Sequence, residues 1–210
     1  EICACLVGSE MCIRDRDNRP FSSGVFDLEE FNIYTKVIDL PLDGIPTYLE
    51  EGINGVCTGG SALFNVFSNK RRVVKNDLIT IFPYQLASIT EISTDFAVIF
   101  FKVPKKLFMD TINGLGRLTL DYFFYMRKYY SSPLSEEEYK RFVHFCHILS
   151  CRVDLSCAFL RRESVMYLLR VYYWDLYVGY KSNPKAMASV KFVRKEKQVF
   201  EFFYLVIEYH

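Results

Sequence analysis

Four residues within one predicted helix have types that bind soft metals: His144, Cys146, His147 and Cys151. At about 100° per residue, His144, His147 and Cys151 share a stripe roughly opposite the helix's apolar face. Imidazole and thiolate on one face could hold Zn²⁺. No CxxC or HExxH spacing accompanies them, so they read as two half-exposed histidines and a small residue on a helix flank, and no metal is assigned. Lys70, Arg71, Arg72 and Lys75 could meet the phosphates of a nucleic acid. At this spacing they read as the solvated tip of a hairpin. Arg161-Arg162-Glu163 reads the same way at a helix start. Gly59-Gly60-Ser61 is not followed by a helix, which argues against a phosphate cradle. The sequence contains no GxSxG, no P-loop and no dinucleotide fingerprint. It has three histidines, none of them among the predicted strands. No catalytic residue and no cofactor are therefore assigned, and the chain is read as a non-enzyme.

The elements that would carry these residues change character near Pro104. Before it, short runs rich in Val, Ile, Phe and Thr alternate with turn residues, the pattern of an antiparallel barrel or sandwich. The predicted strands are Phe31–Ile38, Ala62–Phe67, Arg71–Val74, Leu78–Phe82, Leu86–Glu91 and Asp95–Val103. Ser68-Asn69 and Lys75-Asn76-Asp77 are the hairpin turns between them. Alternation along two strands turns Phe64, Val66, Ile79 and Ile81 into the barrel interior, where they are the candidate ligand-binding residues.

After Pro104 the spacing is helical. Ser135 followed by Glu138 forms a capping box, with Leu134 and Tyr139 as a hydrophobic staple. Tyr139, Phe142, Val143, Cys146, Leu149 and Val153 then share one face. A second helix runs from about Phe159 to Tyr180. Between Val165 and Tyr180 only Arg170 and Asp175 are charged, so this helix needs cover on several sides. Val165, Leu168, Leu169, Tyr172 and Leu176 are the candidate residues of a homodimer seam. A third helix is expected from about Ser189.

Residues Cys5–Arg16 back-translate without mismatch to a sequencing adapter and its mosaic end, so residues 1–16 are set aside from the fold. The rest carries 24 Lys and Arg against 22 Asp and Glu, a balance that gives no overall attraction to nucleic acid or an anionic membrane. Cys57, Cys146, Cys151 and Cys157 remain, too few for a disulfide framework, which suits a reducing cytoplasm. The longest apolar run, Val199–Ile207, is interrupted by Glu201 and is far shorter than the roughly 20 residues of a membrane span. The expected division is 17–103 barrel, 104–188 helical region and 189–210 the start of a linker helix.

The stretch Gly59–Ile89, GGSALFNVFSNKRRVVKNDLITIFPYQLASI, resembles the cupin barrel that begins AraC/XylS-family transcriptional regulators. The order is strand Ala62–Phe67, turn Ser68–Lys70, strand Arg71–Val74, turn Asn76-Asp77, apolar strand Leu78–Phe82 and Pro83. RRESVMYLLRVYYWDLY, followed by the charged RKEKQVFEFFYLVIEYH, is similar to the dimerisation and linker helices of that family. The resemblance implies an α+β chain: an antiparallel cupin-like β-barrel that senses an unknown small-molecule effector, then a helical region that pairs two copies. It also implies that DNA is contacted only through helix-turn-helix units expected beyond His210. Metal-dependent cupins place histidines where this chain has the His-free Gly59–Phe67 and Ala87, so a metal-free barrel is expected. The alternative is a stand-alone metal-free cupin that binds a small ligand, or a cupin enzyme.

Overall fold

The computed structural model describes residues 31–116, 118–184 and 187. The adapter-like head, residues 17–30 and the linker helix expected from Ser189 lie outside them. The described chain is an α+β protein of two antiparallel sheets and a layer of helices. Its strands are β1 (Ile33–Tyr34), β2 (Thr47–Tyr48), β3 (Glu51–Gly59), β4 (Ser61–Val66), β5 (Asn69–Val74), β6 (Asp77–Ile81), β7 (Leu86–Thr90), β8 (Ala97–Pro104) and β9 (Ser131–Pro133). One sheet has the order β1-β8-β3-β6-β9 and the other β2-β7-β4-β5. The helices are α1 (Lys105–Asn113), α2 (Leu120–Lys128), α3 (Glu136–Val153) and α4 (Ala158–Lys181).

The central strands of the five-stranded sheet are buried on both faces, so β6 has no exposed residue and β3 is buried from Gly52 to Cys57. Its inner face meets the four-stranded sheet. Ile53, Cys57, Ile79, Ile81, Val98 and Phe100 form one core there with Ala62, Phe64, Val66, Val73, Ala87 and Ile89. Its outer face carries Val56, Leu78, Phe82, Phe101 and Val103 into a second core with Leu107, Phe108, Tyr122, Leu149, Val165, Leu169 and Tyr173 of the helices. The aromatic surplus is spent on this second contact. Phe82 lies within 5.2–6.3 Å of the rings of Phe108, Tyr122, Phe123 and Tyr173, edge-on or tilted as ring quadrupoles prefer.

Several elements differ from the sequence expectation. The strand expected over Phe31–Ile38 is only the two residues of β1, and Val37–Asp39 form a 3₁₀ turn instead; the short β2 was not expected. β3, EGINGVCTG, was not expected because glycine and asparagine are poor strand formers. It is held between two partners, pairing with β8 and with β6. Gly55 stands opposite Phe100, and a Cβ there would sit 2.5 Å from the Cβ of Phe100; only glycine lets the strands approach so closely. The β4–β5 turn is Phe67-Ser68, one residue earlier than expected, with Phe67 at φ 54°. Finally, β9 returns from the helical half to pair with β6, so the sheet is not completed by residue 103.

The helical half follows its local signals. Ser135 Oγ accepts the N–H of Glu138 at 3.3 Å, and the Glu138 carboxylate accepts the N–H of Ser135 at 2.8 Å, closing the capping box. The Ser135 bonds hold the Glu138 carboxyl below its ordinary pKa. Phe142, Cys146 and Leu149 are buried on the expected face of α3.

Candidate ligand-sensing and self-association site

The four candidate ligand residues converge between the sheets. Phe64 and Val66 reach inward from β4, Ile79 and Ile81 from β6, and none is more than 1% exposed. Their neighbours Val98 and Phe100 are equally closed to solvent. Tyr130, between α2 and β9, completes this interior. Its hydroxyl donates to the carbonyl oxygens of Phe64 and Asn69 at 2.9 and 3.0 Å, while its own carbonyl accepts the N–H of Thr80 at 2.8 Å. Burial pushes its pKa up to about 12, against the opposing pull of Arg71. The stretch Tyr-Tyr-Ser-Ser carries no periodicity that would have marked Tyr130 in the sequence.

The same strands that line the interior grip α4 with their other face. Asn54 of β3 and Thr80 of β6 are direct neighbours across the ladder. Asn54 Nδ2 donates to the Tyr173 hydroxyl at 3.1 Å, and the Thr80 and Tyr172 hydroxyls lie 3.2 Å apart. Burial raises the pKa of both tyrosines, so both remain neutral donors and acceptors. Two adjacent strand positions thus hold two adjacent helix positions by polar bonds inside an apolar layer, where the geometry of such bonds is restrictive. Asn54 was missed with its strand, and no signal in the sequence marks it.

α4 presents different residues to its two sides. Val165 and Leu169 are fully buried, and Tyr172 is 8% exposed, all in the chain's own core. Leu168 and Leu176 are half-buried and pack against that core. The seam expected of these five residues is therefore largely occupied by the chain's own core, which the outer face of the sheet and the other helices share. Of the apolar residues left in solvent, Phe159 is 69% exposed at the start of the helix, and further along are Leu160, Tyr167, Val171, Trp174 and Val178, each 42–59% exposed. With Ser164 they repeat at intervals of four and three residues, the spacing of a coiled-coil seam.

The other candidates separate. His144 and His147 are exposed with ring centroids 6.4 Å apart, and Cys151 is exposed too. Cys146 turns into the core, where burial raises its thiol pKa to about 12. Among the described residues no group of three or more His, Cys, Asp or Glu is arranged to hold a metal ion. Lys70, Arg72 and Lys75 are exposed, and Arg72 pairs with Glu91. Arg71 turns the other way, beside Phe64, and donates to the Ser131 carbonyl at 3.3 Å. Outside the core, an open groove of about 250 Å³ is lined by Pro41 and Thr47 to Glu51. Among the described residues no helix is long and apolar enough to cross a membrane.

Fold and site together define an α+β protein in which a single sheet is shared between a closed interior and a helix with a second apolar stripe. No family model matches the chain, and no curated protein matches it. Among solved structures it is similar to an apo ToxT variant from Vibrio cholerae strain SCE256, with TM-score 0.46 and 10% identity over 74% of this chain and 55% of that one. Wild-type ToxT of the same strain with an unsaturated fatty acid bound gives 0.42 and 6% over 72% and 55%. The AraC-like transcriptional activator CuxR gives 0.33 and 10% over 67% and 47%. The chain spans about half the length of each. Likenesses of this size carry no residue roles across.

Proposed function

We propose that this chain is the effector-sensing and self-associating part of an AraC-like transcriptional regulator, with DNA read by a separate helix-turn-helix part. The observation that carries the proposal is the shared sheet. β3 and β6 line the interior with Ile53, Ile79 and Ile81, and hold α4 with Asn54 and Thr80. The far side of α4 bears the four-three stripe. A second copy presents the same stripe, and two such helices bury one another in a symmetric interface. The seam accordingly moves from the five residues expected from the sequence to Leu160, Tyr167, Val171, Trp174 and Val178.

In this reading an apolar effector enters between the sheets, where Phe64, Val66, Ile79 and Ile81 surround it and Tyr130 gives way. An effector that favours one packing of the sheets over another shifts how α4 is held, and so how the two copies are paired. The resemblance of Gly59–Ile89 to the barrel of these regulators supports the same assignment. The test is a repressor fusion. The chain replaces the pairing domain of a DNA-binding protein that represses a reporter only as a dimer. Repression by the wild-type chain, lost on Val171→Glu, is expected. No repression, or repression that Val171→Glu leaves intact, would overturn the reading.

A further inference from the structure

Four cations among the described residues have acidic partners. Arg72 pairs with Glu91, Lys102 with Glu51, Lys140 with Glu136, and Arg162 with both Asp110 and Glu163. Arg71 and Lys128 are not among these four, and what sets them apart is that they share a ring. They come from different halves of the chain, β5 and the last turn of α2, and meet at one ring. The guanidinium of Arg71 lies 5.0 Å from the centroid of Tyr129, and the ammonium of Lys128 lies 5.2 Å from the same centroid. Neither forms an ion pair with a carboxylate among the described residues.

The surroundings are aromatic. Tyr129 stacks on Tyr125 with centroids 4.8 Å apart, and Tyr125 on Tyr180 at 4.9 Å. Arg127 lies 3.5 Å over the ring of Phe67, at the neighbouring hairpin turn. Arg71 is half-buried, and Tyr125, Arg127 and Tyr129 are half-buried with it. Two like charges gathered on one ring repel each other, the more so where protein replaces water. A guanidinium carries five donors in a fixed fork, and among the described residues only the bond to the Ser131 carbonyl occupies one of them. The corner has the groups to receive an anion: a fork for two oxygens, a second cation beside it, and ring faces for an organic body.

We propose that Arg71, Lys128 and the Tyr125–Tyr129 pair form a binding site for a small organic anion, a carboxylate or a phosphate monoester, at the corner where β5 meets the end of α2. The site lies outside the space between the sheets and does not rest on the sensing and pairing roles; it stands or falls separately from them. An anion drawn to Arg71 competes with the Ser131 carbonyl, which belongs to β9, next to Tyr130. The site is thereby connected to the segment that closes the interior.

Isothermal titration of the whole chain with sodium benzoate and with inorganic phosphate tests the site, against sodium chloride at equal ionic strength. Saturable binding of either probe is expected, and which probe binds tells carboxylate from phosphate. Lys128→Gln, an exposed change that leaves the fold intact, and Arg71→Gln each weaken that binding about tenfold or more, as loss of a charge-assisted contact does. Arg72→Gln, on the opposite side of the same strand, leaves it unchanged. Heats for both probes equal to those of chloride would overturn the proposal, as would a Lys128→Gln chain that binds as tightly as the wild type.

Discussion

Replacing Tyr173 by phenylalanine removes one hydroxyl from the boundary between sheet and helix and leaves every ring contact in place. That hydroxyl is the acceptor for Asn54 Nδ2, and Asn54 is fully buried. The other end of the carboxamide, Oδ1, has no hydrogen-bond partner among the described residues. Tyr173→Phe therefore leaves the whole amide without a partner among the described residues in an apolar layer, at a cost of about 1–3 kcal/mol. With a urea dependence of about 2 kcal/mol per molar, the unfolding midpoint falls by roughly 0.5–1.5 M. Asn54→Leu alone strands the Tyr173 hydroxyl instead and is also destabilising. The double variant has no orphaned group and returns close to the wild type, since exchanging both partners for apolar groups of similar shape is nearly neutral. The assay is urea unfolding of all four chains at one protein concentration, read as a double-mutant cycle. A Tyr173→Phe chain within about 0.3 kcal/mol of the wild type would refute the reasoning. So would a double variant whose loss equals the sum of the two singles.

Gly55→Ala places a Cβ 2.5 Å from the Phe100 Cβ and 2.7 Å from the Ile99 carbonyl oxygen. The central strands must part, and a loss of about 3 kcal/mol or more is expected in chemical unfolding. Ser135→Ala opens the capping box of α3 and costs about 1 kcal/mol, seen as a fall in Tm of about 3 °C; the Glu138 carboxyl titrates at higher pH as a result. Tyr130 ionises at about 12 in the folded chain, against about 10 when unfolded. Its raised value means that its contribution to stability is full below pH 10 and is lost as pH rises through 12. Tyr122, Tyr172 and Tyr173 shift in the same direction. Phenolate absorbance is expected to rise in two stages, the later one coinciding with loss of circular dichroism.

Much of this arrangement is written locally. The capping box, the apolar face of α3 and the span of α4 follow from residues within a few positions of each other. The strands of the β4–β5–β6 region follow from alternation and turn residues. β3 is not legible, because its central Gly55 serves Phe100, a residue 45 positions further on in the sequence. β9 and Tyr130 are not legible either: three residues between two helices become a strand only because β6 offers a free edge. The interior residues Phe64, Val66, Ile79 and Ile81 were found because a period of two assigns one face of a strand. The period of α4 showed that it needs cover on several sides, but not which side meets the sheet. Asn54 and Thr80 make that choice, and they act across more than 90 residues.

Sedimentation equilibrium of the purified chain, with and without Val171→Glu, tests the central claim most directly. Val171 is 57% exposed, so the change leaves the core untouched, and the two chains should give matching circular dichroism. The wild type is expected to sediment as a dimer at micromolar concentration and the variant as a monomer, since a buried, unpaired carboxylate in the seam is strongly unfavourable. A wild-type chain that stays monomeric up to about 100 μM, or a Val171→Glu chain that remains dimeric, would contradict the account.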